Sequence, residues 1–354
     1  MILLSPGPVP VIPEIRQAQT KEMITHRSPE FGELYADLVE RLKKYLDAYE
    51  AYVVTGSGAL GVETLILNLA QKKDKMLCLS NGEFGSRFAQ TAKLYCRVQE
   101  ETQGAGKGWN LERAKPFLDK NNAQLLGIVY NETGYGVRNH IKEICQYAKE
   151  KGMRVIVDAI SAWPAHPFGM GTFNVDGFIT ASQKAIGAPP GMALLGLSKQ
   201  ASEFIEQRNS IPSMYGDLRR HREHYQKNHQ TPNTPAISLF YALQRAFDIL
   251  DEKGGLEACV DRHAQASQYV RARLLNLGFS LIAEQGFESN TVTAFSTSRS
   301  KEIRDRLQED YKIKIVGCKG EYAANGLRIA HMGHFSIQDL DACLNALQKI
   351  KGSA

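Results

Sequence analysis

The 354-residue chain is 43% hydrophobic and 23% charged, with 43 basic and 38 acidic residues and a net charge of +5. That composition suits a globular protein with room for one large domain and a smaller one. The basic excess is mild and scattered, so no nucleic-acid surface is expected, and no apolar run approaches membrane-spanning length. The amino terminus lacks a basic stretch followed by a long apolar one, so a cytoplasmic protein is expected. Six scattered cysteines form no CxxC pair; Cys78 and Cys145 read as buried free thiols, and no metal site is expected.

The first segment is rich in Pro and Gly and reads as extended. Leu34, Leu38, Leu42 and Leu46 recur one turn apart and predict a helix from Phe31 to Ala48. A strand over Ala51 to Thr55 leads through Gly56-Ser57-Gly58 into a helix from about Leu60 to Gln71. Further strands are expected at Met76–Ser80, Leu125–Tyr130, Val155–Val157 and Gly177–Thr180, with a helix at Ile141–Lys151 among them. Strand and helix alternate, which predicts an α/β fold with a mostly parallel sheet sandwiched by helices. After residue 235 the pattern changes. A long helix, Ile237–Leu250, ends at Gly254-Gly255, and a second runs to about Leu277. Strands at Ser280–Ala283 and Thr291–Ser296, a helix at Ile303–Leu307, strands at Ile313–Val316 and Leu327–Ala330 and a helix at Leu340–Ile350 then follow, predicting a small C-terminal α+β domain. The expected division is an N-terminal arm 1–22, a large domain 23–250 and a small domain 251–354.

Several segments carry chemistry. Lys184 lies in Ala181-Ser182-Gln183-Lys184-Ala185-Ile186-Gly187, and Asp158 ends the apolar strand Val155–Val157, 26 residues earlier. A lysine able to form a Schiff base and an acid for a pyridine nitrogen are what pyridoxal phosphate needs. Read singly, they are also a loop lysine and a helix-capping acid. Gly56-Ser57-Gly58, between strand and helix, can cradle a phosphate on free N–H groups. The same glycines, through Gly61, match GxGxxG, and Glu83 could bind a ribose, so an NAD-dependent dehydrogenase stays open. Phe84, between glycines after a strand, offers a flat face for a cofactor ring, or simple core packing. Thr133, just past the strand Leu125–Tyr130, could bond a phenolic oxygen, or sit in a plain turn. Gln183 can reach the phosphate. Arg328 stands alone in the apolar strand Leu327–Ala330; a planar substrate carboxylate suits it, and so does a protein carboxylate.

Together these segments resemble the class V aminotransferases among the fold-type-I pyridoxal-phosphate enzymes. The likeness runs from Leu4-Ser5-Pro6-Gly7-Pro8 to Leu327-Arg328-Ile329. It is nearest the branch with alanine–glyoxylate, serine–pyruvate and archaeal-type aspartate aminotransferases. The resemblance implies that Lys184 binds the cofactor covalently, Asp158 holds its ring nitrogen and Phe84 stacks on the ring. It implies Ser57, Gly58 and Gln183 at the phosphate, Thr133 at the ring oxygen, and Ala59 and Ile160 among the cofactor-binding residues. Asn233 or Thr234, in Thr231-Pro232-Asn233-Thr234-Pro235, would reach the phosphate site of a second copy, making a homodimer. Arg328 would clamp the substrate carboxylate and Gly7 would line the substrate end. The implied reaction moves an amino group from a small amino acid (alanine, serine or aspartate) to glyoxylate, pyruvate or 2-oxoglutarate. Alternatives on the same fold are 2-aminoethylphosphonate–pyruvate transamination and a lyase or desulfurase using Cys318. Tyr130-Asn131 and Ala162-Trp163-Pro164 depart from the usual pattern near the substrate.

Overall fold

The computed structural model describes residues 1–352; residues 353 and 354 of the expected small domain lie outside it. Seven strands form the main sheet: β1 (Glu50–Thr55), β2 (Lys75–Ser80), β3 (Arg97–Thr102), β4 (Leu125–Val129), β5 (Arg154–Asp158), β6 (Gly177–Ala181) and β7 (Met192–Leu197). Their order is β1-β7-β6-β5-β4-β2-β3. β2 to β6 pair in parallel, while β7 runs antiparallel to both β6 and β1. Strand side chains alternate between two apolar layers. Val53, Leu77, Leu126 and Val155 face the helices Pro29–Leu46 and Ile237–Glu252. Tyr52, Met76, Leu125 and Ile156 face the layer that includes the helices Gly58–Leu69 and Glu83–Ala92. With both faces covered, β4, β6 and β7 are buried throughout.

A second sheet, β8 (Ser280–Leu281), β9 (Val292–Ser296), β10 (Val316–Gly317) and β11 (Gly326–Ala330), is antiparallel in the order β8-β9-β11-β10. It packs on the helices Gly255–Asn276, Ser300–Tyr311 and Ile337–Gly352 around its own core of Val270, Phe295, Leu307 and Leu344. The arm joins the two regions. Ile2–Leu3 pairs in parallel with Ile313–Lys314, and Val9 N–H donates to the Gln183 carbonyl at 3.2 Å.

Two expectations need correction, and two strands of the main sheet were not expected. The extended first segment contains a helix, Pro13–Ala18, opened by a proline whose missing N–H costs nothing there. The expected strand Ile313–Val316 is two short strands serving different sheets. β3 reads RVQEET and is only half-buried, so an edge strand hid behind polar residues. β7, an apolar run straight after the Lys184 turn, was not anticipated as a strand.

Candidate active site

All the motif residues of the large sheet emerge at one edge. β1, β2, β4, β5 and β6 end there, and β7 begins there, with Met192 beside Thr55 and Ala193 beside Ala181. This is the carboxyl end of the parallel strands, where α/β sheets bind ligands. A cavity of about 310 Å³ opens at that edge, lined by residues that include Gly7, Ser57, Phe84, Asp158, Gln183 and Lys184.

Lys184 sits in the loop from β6 to β7. Ser182 braces that loop: its hydroxyl donates to the Pro189 carbonyl at 2.6 Å and accepts from Met192 N–H at 3.3 Å. The Lys184 ammonium donates to the Pro6 carbonyl of the arm at 2.6 Å and lies 6.0 Å from the centre of the Phe84 ring. Burial lowers its pKa to about 8; Asp158 opposes that shift and the Arg328 charge adds to it. Gly7 is required beside it, because a Cβ there would fall 2.6 Å from Lys184 Nζ and the backbone φ is +123°.

Asp158 ends β5 almost fully enclosed. One oxygen accepts Ile160 N–H at 2.9 Å. Burial raises its pKa to about 6, with the Ile160 bond and the Lys184 charge working against that shift. Asp158 caps no helix, so the capping alternative falls. A carboxyl enclosed so deeply, with Ile160 N–H as its hydrogen-bond donor among the described residues, suits a protonated ring nitrogen.

The helix Gly58–Leu69 starts at Ser57, whose side chain makes no capping bond. Its first N–H groups are therefore open to an anion at the cavity. Gln183 Oε1 is buried without a partner, another polar atom awaiting a ligand. Phe84 lines the cavity, with the Arg87 guanidinium 5.3 Å and the Lys184 ammonium 6.0 Å from its ring centre.

Arg328 enters from the second sheet and is 6% exposed. Nε and Nη2 donate to the Gly317 carbonyl at 2.9 and 2.7 Å, and Nη1 donates to the Thr133 carbonyl at 3.0 Å. Among the described residues no carboxylate pairs with it, so the ion-pair alternative also falls. Two of the five guanidinium N–H groups remain for a ligand.

Residues 14–336 match the family Aminotransferase class-V. The chain is 34% identical over 341 residues to an uncharacterized aminotransferase of Methanocaldococcus jannaschii, covering 94% of this chain and 88% of that protein. This chain belongs to the class V aminotransferases. A 2-aminoethylphosphonate–pyruvate transaminase of Vibrio cholerae is 28% identical, with 98% of this chain and 96% of that protein covered. A crystal structure of alanine–glyoxylate aminotransferase from Nostoc sp. superposes with a TM-score of 0.94 at 26% identity, covering 99% of this chain and 94% of that one.

The aminotransferase uses pyridoxal phosphate to move an amino group to an oxo acid. The cavity fits that group: an uncapped helix start for phosphate, the orphaned Gln183 oxygen, the Phe84 face, the buried acid and the lysine of lowered pKa. The dehydrogenase reading is set aside. Cys318 is buried among Tyr135, Val137 and Phe287, and burial raises its thiol to about 11. A nucleophilic cysteine needs an exposed thiol of lowered pKa, and Cys318, just past β10, has neither feature.

Three expected residues are placed less directly. The Thr133 hydroxyl is buried and bonded to Ser161 Oγ at 2.6 Å. Asn233 and Thr234 lie off this cavity; Thr234 is exposed, and Asn233 Nδ2 is buried without a partner. Arg87, which lines the cavity, and Ser161, which ties Thr133 to Asn131, were given no firm role by sequence. Both sit beside expected site residues, which was the available signal.

The lysine's depressed pKa has a stability consequence. Below pH 8 the cofactor-free fold holds a buried cation that the unfolded chain hydrates freely. Raising the pH from about 8 towards the ordinary value of 10.5 removes that penalty. The melting temperature of cofactor-free wild type, minus that of Lys184→Met, should rise across this window. The subtraction cancels other titrating groups, and a flat difference would show that the lysine is not desolvated.

Proposed function

We propose that this aminotransferase transfers the amino group of a small monocarboxylic amino acid, alanine or serine, to glyoxylate or pyruvate. The observation that carries the reading is Arg328, a buried guanidinium with no protein carboxylate and two free donors. One planar carboxylate satisfies it. The carbonyl of Pro6 closes over Lys184 at 2.6 Å, which leaves little height for a large side chain. Aspartate with 2-oxoglutarate is the second reading, because Arg87 lines the cavity and could meet a distal carboxylate. Arg87 is, however, exposed and already paired with Glu83 at 3.0 Å.

In this reading Lys184 would hold the cofactor's aldehyde carbon and, once freed, would move the substrate's α-proton. Its lowered pKa keeps a neutral amine accessible near neutral pH. Asp158 keeps a proton on the ring nitrogen. Phe84 and Ile160 hold the ring's faces, and Ser57, Gly58, Ala59 and Gln183 hold the phosphate. Thr133 serves the ring oxygen by turning its hydroxyl from Ser161, and Gly7 shapes the substrate end. Asn233 and Thr234 serve the phosphate site of a second copy, so the working form is a homodimer. Their position off the cavity of their own chain supports this. The six free cysteines, all buried, fit a cytoplasmic enzyme; among the described residues no helix is long and apolar enough to cross a membrane. The arm 1–22, large domain 23–250 and small domain 251–354 are the proposed units; Gly254 and Gly255, both at positive φ, join the long helices near that second boundary.

A donor screen tests the substrate reading: the loss of visible cofactor absorbance is followed as each amino acid is added. Alanine or serine should react fastest; preference for aspartate or 2-aminoethylphosphonate would overturn it. Arg328→Lys tests the clamp. Lysine keeps the charge but loses the planar fork, so KM should rise about tenfold or more for amino and oxo acids alike, with cofactor content unchanged. A lower melting temperature with unaltered KM would refute the clamp.

A further inference from the structure

Glu132 takes no part in the scheme above, yet its carboxylate lies fully buried between the segments that carry it. Oε2 accepts Phe84 N–H at 3.0 Å and Gly85 N–H at 3.2 Å, and Oε1 accepts Gly134 N–H at 2.8 Å. Burial raises its pKa to about 7, the three backbone donors oppose that shift, and the Asp158 charge adds to it. A buried carboxylate without a cation is costly, and backbone donors offset that cost only while they stay aimed at it. Two of them open the helix Glu83–Ala92, where the helix dipole also favours an anion.

The third donor belongs to the peptide between Thr133 and Gly134. The N–H of that peptide goes to Glu132, and its carbonyl accepts Arg328 Nη1 at 3.0 Å. One peptide unit therefore links the carboxylate to the guanidinium, and each bond polarises the other. The same carboxylate pins the backbone of Phe84.

We propose that Glu132 is a positioning residue that sets both the ring face of Phe84 and the carboxylate grip of Arg328. This rests on the roles assigned to Phe84 and Arg328 above. Charge-assisted bonds are roughly twice as strong as neutral ones, and an amide would present an N–H to an N–H on one side. Glu132→Gln should therefore weaken pyridoxal phosphate binding to the cofactor-free protein about tenfold, read by absorbance titration. It should raise KM for the amino acid and the oxo acid about tenfold, with kcat changed less.

Gly82→Ala gives a second route to the same effect. Its φ of 168° is open to any residue, and a Cβ there would lie 2.5 Å from Glu132 Cδ. The substitution displaces the carboxyl without removing it and should give the same signature. Double-mutant cycles locate the action. With Phe84→Leu the losses in cofactor affinity should fail to add, and with Arg328→Lys the rises in KM should fail to add. A role in stability alone predicts a lower melting temperature with cofactor affinity and KM intact, and that result would overturn the inference. If Phe84→Leu and Arg328→Lys are strong while Glu132→Gln and Gly82→Ala are silent, only the Glu132 inference fails. If Phe84→Leu and Arg328→Lys are themselves silent, the site reading fails with it.

Discussion

Asp158→Asn should leave a folded protein that turns over about a hundredfold to ten-thousandfold more slowly. The acid is buried at the end of β5 with a single backbone donor, and burial lifts its pKa to about 6. A protonated ring nitrogen beside it would pull that value back down, because each stabilises the charge of the other. An amide offers no such charge, and losing one partner of a buried ionic pair costs about 3–5 kcal/mol. At ~1.4 kcal/mol per tenfold, that is two to four orders of magnitude in rate. The isosteric amide still accepts Ile160 N–H, so the local turn should survive. Single-turnover absorbance with a saturating amino acid reads the effect, and circular dichroism confirms the fold. Turnover within tenfold of wild type would mean that Asp158 serves the structure alone.

Lys184→Ala should be more severe, with no detectable turnover. In the proposed roles the substitution removes the covalent attachment and the proton carrier together, and a positioned acid–base group alone is worth about 10²–10⁴ in rate. Borohydride should fix the cofactor to the wild-type peptide that contains Lys184 and to no peptide of the variant. Alanine also ends the bond to the Pro6 carbonyl and empties the space that forces glycine at position 7. The arm stays stitched by Ile2–Leu3 to Ile313–Lys314, so the fold should hold. Labelling at another lysine would relocate the site.

What was legible in the sequence is what a residue shows in its local setting. An acid closing an apolar strand, a lysine before a glycine turn and one arginine in Leu327–Ala330 each stand out against neighbours of the opposite polarity. Burial of such groups is expensive, so their presence in apolar runs announces a ligand or a partner. The alternation of periods also determined the α/β class and the change of pattern after residue 235.

The tertiary structure decided which protein partners these residues have. Arg328 reads identically whether it meets a protein carboxylate or a substrate; its bonds to the carbonyls of Gly317 and Thr133, the latter 195 positions away, settle that no protein carboxylate holds it. The reversal of β7 was hidden, because an apolar run looks the same in either direction. It follows from the short loop Ser182–Gly191, since parallel neighbours need a longer crossover. Glu132 passed without a role because its partners are backbone N–H groups, two of them nearly fifty residues earlier. Every residue carries such a donor, so composition and periodicity are blind to it. Only the packing of the helix Glu83–Ala92 against the end of β4 aims those donors at one carboxylate.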